Sequence, residues 1–283
     1  MREREVLCLG AGAFHRVAYV EWGDPRARRA VVCVHGLTGS GRDFDELAAA
    51  LAEEGYRVVC PDLVGRGASD RLRDPVGYKL RQYESDVATL LARLDVDEVD
   101  WIGTSLGGLV GMAVAAREGA PLARLVLNDI GPFMPAAALR RIGDALGADP
   151  RFPDLRTAEA YLRVARAPWG RLSDEQWRRM TERTVRPHED GGFALRYDPR
   201  IAEAFAETSR TELELWHLWE KVRCPVLVLR GARSDFLLPE TAREMRARGP
   251  GAEVIELPEC GHTPALMDAD QIGVLVEWLA RRC

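Results

Sequence analysis

The sequence predicts an α/β fold, a parallel sheet flanked by helices, with a long helical insertion late in the chain. Three observations carry this. Short β-branched apolar runs alternate with longer amphipathic ones over the first 130 residues. The alternation stops between Gly131 and about Thr211, and it resumes afterwards. Strand–helix–strand alternation implies parallel pairing, because each helix carries the chain back across the sheet. A length of 283 residues suits one large core with a smaller unit added to it.

EVLCL (5–9) and VAYVEW (17–22) read as strands joined by the Gly10-Ala11-Gly12 turn. AVVCVH (30–35) is a buried strand that ends at Gly36, and RVVCP (57–61) is another, stopped by Pro61. Between them Phe44, Leu47 and Leu51 recur at helical spacing until Gly55. Leu80, Tyr83, Val87, Leu90, Leu91 and Leu94 share one helical face. VDWIG (99–103) reads as a strand, 106–117 as a helix of small residues, and RLVLND (124–129) as a strand. The stretch that follows holds amphipathic helices broken by Pro150, Pro153, Pro168, Pro187 and Pro199, with no convincing buried strand. TELELWHLWEK reads as a helix, PVLVLRG (225–231) as a strand, 239–247 as a helix, EVIELP (253–258) as the last strand and 270–282 as the last helix. The expected division is a first core part at 1–130, a helical cap at 131–212 and a second core part at 213–283.

Composition narrows the function. With 39 Lys+Arg against 44 Asp+Glu the net charge is −5, and no basic block offers a footprint for nucleic acid. No window reaches the roughly 18 uninterrupted apolar residues of a membrane span. The start, MREREVLCLGAG, lacks the apolar stretch of a signal peptide. The six cysteines show no CxxC spacing; Cys8, Cys33, Cys60 and Cys224 fall in or beside apolar runs, and Cys283 is the last residue. They read as reduced small hydrophobes in a cytoplasmic protein. The insertion carries as many arginines as acids between 131 and 215, so no long-range field recruits a highly charged substrate.

Gly103-Thr104-Ser105-Leu106-Gly107 carries the strongest chemical signal, G-x-S-x-G between an expected strand and an expected helix. A serine there sits on a sharp turn that lifts its hydroxyl clear of the backbone. Such a hydroxyl needs a base. His262, in a loop after the last strand, is the candidate among five histidines, because open α/β sheets place their sites at strand C-terminal ends. The imidazole needs an acid to hold its tautomer. Asp235, in Gly231-Ala232-Arg233-Ser234-Asp235, is the favoured acid, and Asp129, just past RLVLND, is its competitor. The backbone N–H groups of Leu37 and Leu106 are positioned to stabilise an oxyanion.

These segments together resemble the α/β-hydrolase fold superfamily, of the cap-bearing serine hydrolase kind. The resemblance rests on VHGLTGS (34–40), DLVGRGASD (62–70), GTSLGG (103–108), RGARSD (230–235) and CGHTP (260–264), and it spans nearly the whole chain. It implies a mostly parallel eight-stranded sheet whose second strand runs antiparallel, a cap at 131–212, and the triad Ser105, Asp235, His262. Asp62 and Arg66 resemble a family loop that is structural rather than catalytic.

The serine at 105 separates the chain from relatives with an aspartate at that position. A carboxylester or lactone hydrolase acting through an acyl-enzyme is the expected function, and no cofactor or metal is required for that chemistry. The alternatives are a hydrolase of carbon–carbon bonds in β-diketone-like products of aromatic degradation, and a slow-turnover ligand-binding receptor of the same fold. A substrate pocket is expected between cap and sheet. Phe133, Met134, Trp169, Trp177 and Trp216 are candidates to line it; Arg163 and Arg166 could bind a substrate carboxylate, and a solvated helix face is the favoured reading of both. The substrate's identity and the oligomeric state are not encoded in any of these segments.

Overall fold

Why the strand at 30–34 is apolar throughout is plain from a computed structural model, which describes residues 1–281; Arg282 and Cys283 lie outside the described residues. β3 (Ala30–Val34) is buried at every position. Its Val32 and Val34 join the apolar cluster on one face of the sheet, and Val31 and Cys33 join the cluster on the other. A strand covered on both faces needs no polar alternation.

Eight strands form the main sheet: β1 (Arg2–Gly10), β2 (Ala13–Trp22), β3, β4 (Arg57–Pro61), β5 (Val99–Thr104), β6 (Leu122–Asn128), β7 (Val226–Gly231) and β8 (Ala252–Leu257). Their spatial order is β1-β2-β4-β3-β5-β6-β7-β8. β2 is antiparallel to both β1 and β4, and the pairings from β4 through β8 are parallel. This is the mostly parallel sheet with an antiparallel second strand that the resemblance implied. Helices α1 (Asp45–Glu53) and α9 (Ala269–Ala280) cover one face through Leu47, Leu51, Leu275 and Leu279. Helices α2 (Leu80–Leu94), α3 (Leu106–Ala115) and α8 (Pro239–Ala247) cover the other through Leu90, Met112 and Met245.

The chain leaves β3 toward β4 on one side and returns to β5 on the other. That reversal opens a crevice at the carboxyl ends of the strands, where open α/β sheets bind ligands. The segment between β6 and β7 lies over this end. It holds α4 (Ala136–Leu146), α5 (Leu155–Ala165), α6 (Asp174–Thr184) and α7 (Ile201–Thr208). Leu139, Leu162, Met180 and Ile201 from these helices belong to the same apolar cluster as Val32 and Leu127, so the insertion is packed onto the sheet.

The insertion differs from the sequence reading in two places. Residues 151–152, 185–187 and 193–195 form a small antiparallel sheet. Strands of two or three residues are too short to show a period in the sequence. TELELWHLWEK is not one helix: Leu213–Glu214 pairs with Phe133–Met134, and only Trp216–Trp219 is helical. That two-stranded ribbon ties the start of the insertion to its return.

Candidate active site

The turn after β5 is built by two glycines with no room for a side chain. A Cβ on Gly103 would lie 2.4 Å from the Gly107 backbone, and one on Gly107 would lie 1.9 Å from the Val34 carbonyl oxygen. Ser105 between them takes φ 48° and ψ −112°, a strained conformation that turns its hydroxyl out ahead of α3.

Its Oγ lies 3.1 Å from His262 Nε2. On the other side of the ring, Nδ1 lies 2.7 Å from Oδ2 of Asp129, which has no exposed surface. A carboxylate only accepts, so Nδ1 carries the proton and Nε2 is free to accept the serine O–H. Asp129 is itself fixed by the Gly231 N–H, 2.8 Å from Oδ1, and by the Ser234 hydroxyl, 2.6 Å from Oδ2. The Phe236 ring stacks on the imidazole at 4.3 Å. Asn128 donates to the Thr104 hydroxyl and to the Pro264 carbonyl, joining the serine and histidine loops.

Asp235, the acid favoured from sequence, is elsewhere. Its carboxylate is more than half exposed and forms a two-pronged pair with Arg141 of α4, at 2.9 and 2.8 Å. The reason is a one-residue offset. Ser234 is the residue of that loop whose side chain turns inward, and Asp235 turns out toward the insertion. Asp129, the competitor, occupies the place beside His262. Sequence reasoning missed Ser234 altogether, and the only signal for it was its position just before the favoured aspartate.

The loop after β3 is held from two sides. His35 is fully buried; its Nδ1 donates to the Gly36 carbonyl at 2.6 Å and its Nε2 accepts the Leu63 N–H at 2.9 Å. In a planar trans peptide the C=O and the following N–H point in opposite directions, so fixing Gly36 O also fixes the Leu37 N–H. Arg66, buried, holds the Leu37 carbonyl at 2.9 Å and also bonds Val64 O and the Tyr83 hydroxyl. Asp62 accepts the N–H groups of Gly41 and Ala68. Both act on loop structure, as the resemblance implied. Leu106 opens α3, where a first-turn N–H has no acceptor within the helix.

Burial pushes the His35 imidazole down to about 3. The unfolded chain therefore binds a proton below pH 6.5 that the folded chain refuses, and stability falls as pH drops from about 6.5 toward 3. His35→Gln removes that titration. Between pH 7 and pH 5 the parent protein is expected to lose about 2 kcal/mol more than the variant in urea unfolding. Equal losses would mean that His35 titrates normally in the folded state.

A cavity of about 260 Å³ opens over Ser105 and His262, roofed by the insertion. Trp169 lines it, together with Leu146, Leu162 and Tyr197. Phe133, Met134 and Trp216 do not. Phe133 and Met134 are spent in the ribbon at the base of the insertion, and Trp216 stacks under Arg248. Trp177 is packed in the core, with Arg163 over its ring. Arg163 pairs with Glu159 and Asp174 on the outside, as a solvated face should. Arg166 departs from that reading: it is buried and faces the cavity.

Among the described residues, one group of side chains has metal-ligand proximity: Cys8, His15 and Asp86, all buried. His15 Nε2 pairs with Asp86 Oδ1 at 3.0 Å and Gln82 donates to the same oxygen at 2.7 Å, whereas His15 Nδ1 and Asp86 Oδ2 are buried without a hydrogen-bond partner. His15 lies in β2. Five cysteines, Cys8, Cys33, Cys60, Cys224 and Cys260, are unpaired. No helix among the described residues is long and apolar enough to cross a membrane.

The fold and the arrangement at its carboxyl edge define a class, and the comparisons agree with it. Residues 31–273 match the model of the alpha/beta hydrolase family, and the chain belongs to that family. It is a hydrolase. It is 46% identical over 277 residues to the 3-hydroxybutyrate-oligomer hydrolase of Cupriavidus necator, covering 95% of this chain and 94% of that one. A solved structure from Rickettsia typhi superposes with a TM-score of 0.94 at 30% identity, with full coverage of both chains. An alpha/beta hydrolase from Novosphingobium aromaticivorans superposes with a TM-score of 0.87 at 34% identity, covering 99% of this chain and 98% of that one.

Proposed function

We propose that the protein is a serine esterase that hydrolyses short linear oligoesters of a 3-hydroxy acid through an acyl-enzyme. The observation that carries this reading is the hydrogen-bonded series Ser105–His262–Asp129 at the floor of a roofed cavity. The near-full-length similarity to a 3-hydroxybutyrate-oligomer hydrolase supports the substrate class.

In this mechanism Ser105 Oγ attacks the ester carbonyl while His262 Nε2 takes its proton. Asp129 holds the ring and stabilises the imidazolium. The N–H groups of Leu37 and Leu106 receive the oxyanion of the tetrahedral intermediate. The ester C–O bond breaks, His262 returns the proton to the leaving alkoxide, and the acyl group stays on Ser105. Water, activated by His262, then releases the acid by the reverse sequence. The insertion, taken as 131–212, serves as the cap that excludes bulk water. The unpaired, mostly buried cysteines support a reducing compartment, and we place the enzyme in the cytoplasm.

The test is to incubate the purified protein with the linear dimer and trimer of (R)-3-hydroxybutyrate and follow monomer release by NMR. Steady release from both is expected. Cleavage of p-nitrophenyl butyrate with no release from either oligomer would overturn the substrate class while leaving the esterase chemistry in place.

A further inference from the structure

The cavity contains a cation that the protein does not neutralise at contact distance. Arg166 caps the C-terminal end of α5, is only 7% exposed, and lines the same cavity as Ser105. Its guanidinium lies over the Trp169 ring at 4.3 Å, and one nitrogen donates to the Thr184 hydroxyl at 3.2 Å. Among the described residues, no carboxylate lies within 4.0 Å of it. Asp43, which lines the same cavity, acts on it only through its field at longer range, and its carboxylate already accepts the Ser40 N–H at 3.2 Å. Arg141, the other arginine of the cavity wall, is committed to Asp235.

A guanidinium has five N–H donors, and the protein uses one of them here. Burying a cation without a close counter-charge is costly, and truncating the stem to avoid that cost would be simple. The charge is useful only if something entering the cavity pairs with it. A carboxylate is the matching partner, since its two oxygens meet the planar fork with two parallel hydrogen bonds.

We infer that Arg166 is the anchor for a free carboxylate at one end of the substrate, so that the enzyme prefers ester acids over neutral esters. The inference rests on the oligoester reading for the identity of the substrate, and it fixes the direction of cleavage. In a linear 3-hydroxy acid oligomer the free carboxylate always lies on the alcohol side of each ester. The group held by Arg166 is therefore part of the leaving alcohol. Ser105 Oγ bonds to the acyl carbon, the C–O bond to the anchored unit breaks, and His262 protonates the departing alkoxide. The hydroxy acid leaves with its carboxylate, and the rest of the chain remains as the acyl group.

The test is calorimetric binding to the Ser105→Ala protein, which forms no acyl-enzyme. The ligands are the linear (R)-3-hydroxybutyrate dimer and its methyl ester, which differ only in the carboxylate. The free acid is expected to bind at least tenfold more tightly than the methyl ester. Adding Arg166→Met should reduce that ratio to about two or less, and Arg166→Lys should retain part of it. Equal binding of acid and methyl ester to Ser105→Ala overturns the inference without any change at Arg166, so a misfolded arginine variant cannot protect it. A preference that survives in a folded Arg166→Met protein, checked by its thermal midpoint, overturns it as well. Turnover separates the two readings. Preferential binding of the acid with no hydrolysis by the parent enzyme removes the oligoester function and leaves the carboxylate site standing. Equal hydrolysis of acid and methyl ester, with equal binding, removes the site and leaves the esterase.

Discussion

Asp129→Asn is expected to lower kcat on a short ester by about 10⁴, and Asp235→Asn to change it by no more than about threefold. The contrast follows from geometry. Asp129 accepts the His262 Nδ1 proton at 2.7 Å from a position with no exposed surface, so nothing else there can hold the tautomer or balance the imidazolium. An asparagine keeps the shape and presents either an uncharged oxygen or an N–H to the ring. Asp235 pairs with Arg141 at the surface, and exposed pairs contribute only fractions of a kcal/mol. Its loss affects the attachment of α4 to the loop after β7, which a thermal midpoint reads better than a rate. A deep loss on Asp235→Asn with activity retained in Asp129→Asn would reverse the assignment.

The second large effect belongs to Ser105. Ser105→Ala is expected to reduce kcat by about 10⁶, to the residue of catalysis left by binding and oxyanion stabilisation alone. The stability of the variant should stay near that of the parent, because the strained φ of 48° is imposed by the surrounding glycines and not by the hydroxyl. Alanine removes one oxygen and the 3.1 Å contact to His262 and disturbs little else. A variant that keeps more than a few per cent of the activity would show that another group attacks the ester.

The parts of the molecule that could be read in advance are those where one physical requirement selects the residue type. β3 had to be apolar because both faces of the sheet are covered. Gly103 and Gly107 had to lack side chains because strand and helix meet there, and the serine between them follows. His262 was identifiable because loops at strand ends converge on one edge. The acid was harder. Asp129 and Asp235 both follow neighbouring parallel strands, and a linear sequence does not encode which side chain of a loop points inward. Ser234 is the inward residue of its loop, and the one-residue offset moved the assignment to the wrong strand. Arg166 was misread for a related reason. Helical spacing places it with Arg163, yet it sits at the helix end, where φ of −107° takes it out of phase with the solvated face. The cavity wall was the least legible part. Phe133, Met134 and Trp216 are apolar residues near the insertion's base, and only the ribbon at 133–134 and 213–214 reveals that they are spent on its structure.

The central claim is that Ser105 is an activated nucleophile inside this cavity. Intact-protein mass after exposure to a fluorophosphonate tests it without any choice of substrate, with the Ser105→Ala protein as control. One adduct on the parent, none on the variant, and a strongly slowed reaction in Asp129→Asn is the predicted result. An adduct that persists in Ser105→Ala, or a folded parent that takes up none, would contradict it.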